Sequence, residues 1–193
     1  MATLSVGGSL VTTNDTLSNG VQDNITRLGT ITTGVADQFH LNGNITSDHD
    51  PITAWSAGDD SSNVIPMWSA VGSRMAVSSG IFTFQIVGIY HVTYVHRMKV
   101  TNFTEAMGAY FVIAGSTNTG GSYSSLAGSA SSMSDLSSGT NPEYTSASCS
   151  TFVNVTNTST HKVKFTVTTD NANTITEGNA TQQLTHVTFI KLN

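Results

Sequence analysis

Two histidines in one apolar segment are the first residues whose chemistry needs testing. His91 and His96 lie five positions apart in a stretch that alternates between apolar and polar residues. Because successive side chains of a strand point to opposite faces, an odd spacing places these imidazoles on opposite sides of a sheet. The two rings then cannot share a metal ion. The spacing predicts two ordinary sheet histidines.

Acidic residues gather in two segments with the composition of loops, at residues 48–51 and 58–63. Carboxylate oxygens in flexible loops can hold calcium. The sequence lacks the Asp-X-Asp-X-Asp-Gly spacing of the common calcium loop, and solvated turn residues are the simpler interpretation. We therefore predict no metal and no cofactor.

Catalytic motifs give no positive signal. There is no Gly-X-Ser-X-Gly nucleophile elbow and no Gly-X-X-X-X-Gly-Lys phosphate loop. A Ser-His-Asp triad has no distinguishing pattern in a chain with 30 Thr and 25 Ser. A polysaccharide depolymerase would need paired carboxylates in a groove, whereas the acidic residues here lie mainly in turns. We predict no catalytic residues and a protein that is not an enzyme.

Two tryptophans are candidate ligand contacts. Trp55 and Trp68 could stack on a sugar, or they could pack in a core or an interface. Cys149 is the single cysteine, so it cannot form an intrachain disulfide or a zinc site of cysteine ligands.

Composition and charge exclude further classes of partner. The 193 residues carry a net charge of −5 with only 7 Lys plus Arg, which argues against a nucleic-acid partner. No apolar stretch approaches the length of a membrane-spanning helix, so we predict no membrane partner. Residues 1–8 have no basic and apolar leader. This start suggests a protein that acts in the cell that makes it or leaves by another route, such as inside a virus particle.

The elements that must position these residues are strands. Thr, Val, Ile and aromatic residues are common, which favours an all-β fold. The turn Ser78-Ser79-Gly80 precedes an apolar segment at 81–86, and a second one at 89–98 follows the break at Val87-Gly88. So short a break predicts that these two segments form a hairpin.

Further strands follow along the chain. Residues 109–114 read as a strand covered on both faces, and residues 149–155 and 186–192 as two more. Residues 161–168 alternate, with Val163, Phe165 and Val167 facing inward. The Ser/Gly-rich stretch at 115–140 is either a surface loop or an insertion of weak strand character. Residues 1–34, polar and without aromatics, are predicted to form an extended arm, and residues 35–193 the domain.

The segment at 78–94 resembles the signature of complement C-one-q globular heads. That signature has a Ser/Thr-Gly turn, an aromatic strand, a Gly turn and a second aromatic strand. Residues 186–192 resemble the closing strand of such domains, particularly in bacteriophage structural proteins. The resemblance implies an antiparallel jelly-roll sandwich of about eight to ten strands, of the complement C-one-q and tumour necrosis factor type. It also implies a homotrimer. Seven residues are candidates for the core or the trimer axis: Phe82, Phe84, Tyr90, Tyr94, Tyr110, Val112 and Phe189.

Two functional hypotheses follow. The first is a virion structural protein, a trimeric capsid decoration or cement protein. Its arm, residues 1–34, would bind the major capsid protein or another virion protein. The alternative is a tail fibre or spike module that recognises host surface glycans through the Ser/Gly-rich stretch and the tryptophans. The predicted location is the virion, on the capsid surface or on the tail.

Overall fold

The computed structural model describes residues 4–6, 9–11, 34–58, 69–101, 107–133, 142–171 and 173–192. The chain falls into two units, Met1–Gly34 and Val35–Asn193. In the first unit, β1 (Leu4–Val6) and β2 (Ser9–Val11) pair as an antiparallel two-stranded sheet. The anchoring role of residues 1–34 stays a prediction.

The second unit is built from strands in all its described parts. Its elements are β3 (Ala36–Leu41), β4 (Trp55–Ala57), β5 (Ala76–Ser78), β6 (Ile81–Thr83), β7 (Gly88–Val100), β8 (Met107–Ser116), β9 (Ser124–Met133), β10 (Glu143–Val155), β11 (Lys162–Thr169), β12 (Thr174–Thr176) and β13 (His186–Lys191). No helix long and apolar enough to cross a membrane occurs in the described residues.

These strands form two antiparallel sheets. Sheet one has the order β10-β7-β13-β3-β4, and β12 also pairs with β7. Sheet two has the order β5-β6-β11-β8-β9. The two sheets pack as a sandwich, because each buries every second side chain against the other. The apolar and polar alternation predicted for residues 161–168 is confirmed, with Val163, Phe165 and Val167 at most 1% exposed.

Aromatic rings from both sheets fill the centre of the sandwich. Phe82 of sheet two lies 5.0 Å from Phe39 and 5.2 Å from Phe189, both of sheet one, measured between ring centroids. It also packs edge-on at 5.3 Å against Phe165 of its own sheet. Edge-to-face ring pairs add about 0.5–1.5 kcal/mol beyond the apolar area that they bury. This cluster therefore stabilises the packing of the two sheets against each other.

The predicted hairpin between residues 81–86 and 89–98 is wrong. β6 pairs with β5 and β11 in sheet two, whereas β7 pairs with β10 and β13 in sheet one. The short connection crosses from one sheet to the other, helped by Gly88 at a φ of 142°. Phe84 and Tyr90 consequently face each other inside the core, with ring centroids 4.7 Å apart.

β8 and β9 correspond to the predicted strand at residues 109–114 and to part of the Ser/Gly-rich stretch at 115–140. Residues 109–114 lie in β8, but Tyr110 is 53% exposed, so this strand is not covered on both faces along its whole length. Part of the Ser/Gly-rich stretch forms β9, which pairs with β8. The weak-strand interpretation is therefore correct for residues 124–133, and residues 134–140 lie outside the described part.

Gly80 gives a first testable prediction. Ser79 and Gly80 form the two-residue turn between β5 and β6, both at positive φ (48° and 77°), the geometry of a type I′ hairpin turn. A Cβ atom on Gly80 would collide with the carbonyl oxygen of Ile52. We expect Gly80→Ala to lower the free energy of unfolding by about 2–3 kcal/mol, through backbone strain and this collision.

Urea denaturation followed by tryptophan fluorescence measures this loss. Gly43→Ala is the matched control, because a Cβ atom at Gly43 meets nothing within 4 Å. The control should change the free energy of unfolding by no more than about 0.5 kcal/mol. Equal stability of the two variants would contradict the assigned turn.

Candidate functional site

The outward side of sheet one carries the first candidate site, an apolar row. Along β7, Tyr90, Val92 and Tyr94 are buried while the residues between them face outward. The strand register places Phe152 of β10 beside His91 of β7, and His91 beside Ile190 of β13. The phenyl ring of Phe152 lies 5.1 Å from the His91 imidazole. We call four large apolar side chains exposed on this side, Ile89, Phe152, Ile190 and Leu192, the apolar row.

All four side chains of the row are exposed in the single protomer. Phe152 is 67% exposed, Ile89 43%, Ile190 42% and Leu192 49%. Leu192 is held beside Ile89 because its amide donates a 2.8 Å hydrogen bond to the Ile89 carbonyl. Contiguous exposed apolar side chains of this kind mark interaction surfaces in soluble proteins. The row has no catalytic or metal-binding group of its own, and burial of its side chains against an apolar surface is what it could contribute.

The seven residues predicted for the core or the axis divide between two places. Five of them are at most 1% exposed inside the sandwich: Phe82, Phe84, Tyr90, Tyr94 and Phe189. These five fill the core of one protomer and have no surface left for an axis. Tyr110 and Val112 lie on the outward side of sheet two, where Tyr110 is exposed and Val112 is 8% exposed.

The residues of the apolar row were missed, although the sequence carries a signal for them. Each of Ile89-Tyr90, Phe152-Val153 and Phe189-Ile190 is a consecutive pair of large apolar residues in a strand. Since neighbouring residues of a strand face opposite ways, one member of each pair must point outward. The three pairs therefore indicate one outward apolar side chain on each of β7, β10 and β13.

Trp55 lies in the core and does not contact a ligand at the surface. Its side chain is largely buried and packs edge-on against Phe165, Tyr94 and Phe82, at 5.7, 6.1 and 6.2 Å between ring centroids. The indole has no free face on which a sugar could stack, so the ligand-contact interpretation of Trp55 is wrong. Trp68 lies outside the described residues.

The acidic loop at residues 48–51 has a structural role. Asp48 accepts a 2.8 Å hydrogen bond from the Thr169 amide, and Asp50 forms an ion pair with Lys164. Both carboxylates tie the loop to β11. In the part of the chain that the structure describes, no group of three or more His, Cys, Asp or Glu is placed to hold a metal ion. Asp59 and Asp60 lie outside that part.

His91 and His96 face opposite ways, as their spacing predicts. His96 is fully buried, with Nδ1 3.1 Å from Ser131 Oγ and Nε2 2.9 Å from Thr176 Oγ1. Its ring stacks on Phe111 at 4.9 Å. Burial lowers the pKa of His96 from 6.5 to about 4, because desolvation disfavours the imidazolium. A neutral His96 thus connects β7 to β9 and β12.

The second candidate site is a cleft at one end of the sandwich, which we call the end cleft. The turn between β8 and β9, the end of β10 and the start of β11 meet there around a volume of about 340 Å³. It is lined by residues 115–118, 122, 124, 126, 152–154 and 161–162. Most of these side chains carry hydroxyl, amide or imidazole groups, and none of the lining residues is acidic.

Side-chain hydrogen bonds hold the wall of the end cleft in shape. Asn118 Oδ1 accepts from Ser116 Oγ at 2.7 Å and from the Ser122 amide at 3.0 Å, while Asn118 Nδ2 donates to Ser122 Oγ at 2.9 Å. Ser116 Oγ also accepts from the Gly120 amide at 3.1 Å. The Thr119 amide donates to the Thr160 carbonyl at 3.0 Å, which joins this turn to the turn before β11. The cleft is therefore preformed.

Comparison with known proteins shows the fold. No protein-family model and no curated protein matches the chain. Among solved structures, the chain is similar to Eiger TNF from S. frugiperda. The match has 15% identity and a TM-score of 0.53, and it covers 83% of this chain and 94% of that chain. Murine APRIL at pH 5.0 matches with 12% identity, 82% and 99% coverage and a TM-score of 0.51. Its structure at pH 8.5 gives 14% identity, the same coverage and a TM-score of 0.50.

The fold is a tumour necrosis factor-like jelly roll. The predicted fold class, an all-β antiparallel jelly-roll sandwich, is confirmed. The described part of the second unit has eleven strands, slightly more than the eight to ten predicted. At these identities the likeness concerns the fold alone, so the function of this jelly roll has to be argued from its own surfaces.

Proposed function

We propose that this protein is a non-enzymatic structural component of a virus particle, a homotrimeric jelly roll that decorates the capsid surface. In this proposal residues 1–34 anchor each protomer to the major capsid protein or another virion protein. The observation that carries the proposal is the apolar row on sheet one. Its side chains are exposed in one protomer and need a partner surface.

A second copy of the same chain supplies that surface most simply. Repeated contacts between identical protomers close into a ring when the rotation between neighbours completes a circle, and three copies make such a ring. A trimer also matches the complement C-one-q-like signature at residues 78–94. Burial removes apolar area from water at about 25 cal/mol per Å², which favours association. The outward residues beside the row include Thr93, Ser150 and Thr188, which are neutral and small, together with His91 and Asn154.

A trimer would carry three arms, and this number makes anchoring by residues 1–34 effective. Once one arm is bound, the other two are held near their own sites, so weak individual contacts add up to tight attachment. Such attachment requires no catalytic group, which agrees with the lack of catalytic motifs in the sequence.

Copy number in purified virions tests the decoration role directly. Quantitative mass spectrometry against the major capsid protein should give a number within a few-fold of that protein. A handful of copies per particle would favour a tail location instead. Absence from the particle would remove the virion proposal.

Deleting residues 1–34 is the second test. We expect the remaining jelly roll to keep its trimeric state, because the apolar row lies entirely in residues 89–192. Binding to capsids that lack the protein should fall below detection in a co-sedimentation assay, since all three anchors are lost together. The full-length chain is the control. Undiminished capsid binding by the shortened chain would contradict the arm model.

The end cleft favours a second candidate function, the receptor-binding module of a tail fibre or spike that recognises host surface glycans. The cleft is lined in part by residues 115–126 of the Ser/Gly-rich stretch, for which the sequence suggested such recognition. Adsorption of the purified protein to host cells, competed by isolated surface polysaccharide, tests this candidate. Failure to adsorb would exclude it and leave the decoration role untouched.

A further inference from the structure

We propose that the end cleft is a binding site for an uncharged carbohydrate of one or two sugar units. The inference deepens the receptor-binding candidate and rests on it for biological meaning, although binding itself is measurable on the isolated protein. The volume of about 340 Å³ lies at the lower end of the range of small-molecule pockets, roughly 300–1,000 Å³. That size suits a small ligand or the end of a longer chain.

The polar groups of the cleft have hydrogen-bonding capacity left for a ligand. Thr117, Ser124 and Asn154 are exposed at its rim, and no other described residue hydrogen bonds to their side chains. Together a threonine hydroxyl, a serine hydroxyl and an amide offer several donors and several acceptors. A ligand with adjacent hydroxyl groups matches such a mixture, because each hydroxyl both donates and accepts.

His161 adds an acceptor whose identity follows from its neighbours. Its Nδ1 lies 2.9 Å from the carbonyl oxygen of Asn157. Since a carbonyl oxygen only accepts, Nδ1 donates to it, and the Thr160 hydroxyl 3.2 Å from Nδ1 can also accept. The tautomer with its proton on Nδ1 presents Nε2 as an acceptor. No hydrogen bond to Nε2 from the described residues occupies it. A sugar hydroxyl is a suitable donor.

An apolar floor accompanies the polar rim. Leu126 lies against the backbone of Gly115, so closely that a Cβ atom there would come within 2.6 Å of Leu126 Cδ1. Val153 and the exposed ring of Phe152, the one residue that the end cleft shares with the apolar row, also contribute to the lining. Sugar rings have apolar C–H faces beside their hydroxyls, and a site with a small apolar floor and convergent polar groups fits that combination.

The charges around the cleft favour an uncharged ligand. The lining has no carboxylate that would bind a cationic ligand. Its one lysine, Lys162, donates from Nζ to Thr83 Oγ1 at 2.9 Å, and Thr83 is not part of the lining. The ammonium group is thus held on a neighbour outside the cleft, which leaves the neutral groups to contact the ligand.

Saturation-transfer NMR on the full-length protein tests the proposal with glucose, galactose, N-acetylglucosamine, maltose and lactose as probes. We expect transfer to at least one of these sugars. The double variant Thr117→Ala/Asn154→Ala should bind that sugar about tenfold or more weakly, because two hydrogen bonds are lost and each contributes about 0.5–1.5 kcal/mol. Both residues are exposed and lack side-chain partners among the described residues, so the fold should be unaffected. Because Asn154 lies beside Ile89 of the apolar row, light scattering should also give the double variant the same mass as the unchanged protein.

Asn42→Ala is the matched control, an exposed asparagine after β3 that does not line the cleft. It should bind the sugar like the unchanged protein. Transfer to none of the five probes, equal binding by the double variant, or binding of N-acetylneuraminic acid alone would each overturn the proposal. If the double variant adsorbs to host cells as well as the unchanged protein does, the end cleft is not the carbohydrate site. The receptor-binding candidate would still stand in that case.

Discussion

Replacing Phe152 with aspartate is expected to convert the proposed trimer into monomers. Phe152 is 67% exposed in the protomer, so the substitution removes no core contact. In a trimer built on the apolar row, the new carboxylate would be buried among apolar side chains of a neighbouring copy. An unpaired buried charge at an interface costs several kcal/mol, and three copies suffer it at once. We expect the dissociation constant to rise about a thousandfold or more.

Light scattering coupled to size-exclusion chromatography measures the change. The unchanged protein should have three times the chain mass of 20.3 kDa, and Phe152→Asp a single chain mass. Val77→Asp is the matched control, since Val77 is an exposed apolar residue of the opposite sheet and is not among the residues predicted for the axis. The control should remain trimeric. A folded Phe152→Asp protein of trimeric mass, or a monomeric unchanged protein, would contradict association through the row.

Acid should destabilise the protein through His96. In the unfolded chain this imidazole takes up a proton near pH 6.5, whereas in the core its pKa is about 4. Between these values the unfolded state binds more protons than the native state, so stability falls as the pH falls. Below pH 4 both states are protonated and the loss stops. The full effect of this residue is about 3 kcal/mol between pH 7 and pH 4.

The measurement is the free energy of unfolding against pH, at one protein concentration, for the unchanged protein and for His96→Gln. The variant should lose less stability over this interval by about 3 kcal/mol, whatever its stability at pH 7. Ser131→Ala is the control, because it removes the partner of Nδ1 and keeps the imidazole. Its stability should be lower at every pH, with the slope retained. Parallel curves for His96→Gln and the unchanged protein would show that His96 does not titrate as proposed.

Six of the eleven strands in the described part of the domain were predictable from the sequence, whereas their partners were not. Alternation identifies the inward residues of β11, since the period of two is a property of one strand alone. The assignment of segments 81–86 and 89–98 to one hairpin failed, because a short break between two apolar segments is equally compatible with a crossing between sheets. Only the distant partners, β11 for β6 and β13 for β7, decide between these outcomes.

The candidate sites were harder to predict for a related reason. Alternation separates the two faces of a strand but does not say which face another layer covers, so Tyr90 and Phe189 were compatible with the core and with an axis. The end cleft combines segments near residues 116, 153 and 161. β8 and β11 pair in sheet two, and the packing of sheet one on sheet two brings the end of β10 beside them. Its side chains are common polar types, and the Ser/Gly-rich composition was the sole pointer to it.

The position of β13 has a consequence for how the chain is made. β13 lies between β3 and β7 in sheet one. The side chain of Gln38 in β3 donates a hydrogen bond to Thr188 in β13, which is 150 residues further along the chain. A ribosome therefore delivers β3 and β7 long before the strand that joins them, and each has an unpaired edge in the meantime. Unpaired edges invite pairing with other nascent chains, and contacts this distant form slowly. We expect the yield of soluble protein to depend on temperature and chaperone supply during synthesis.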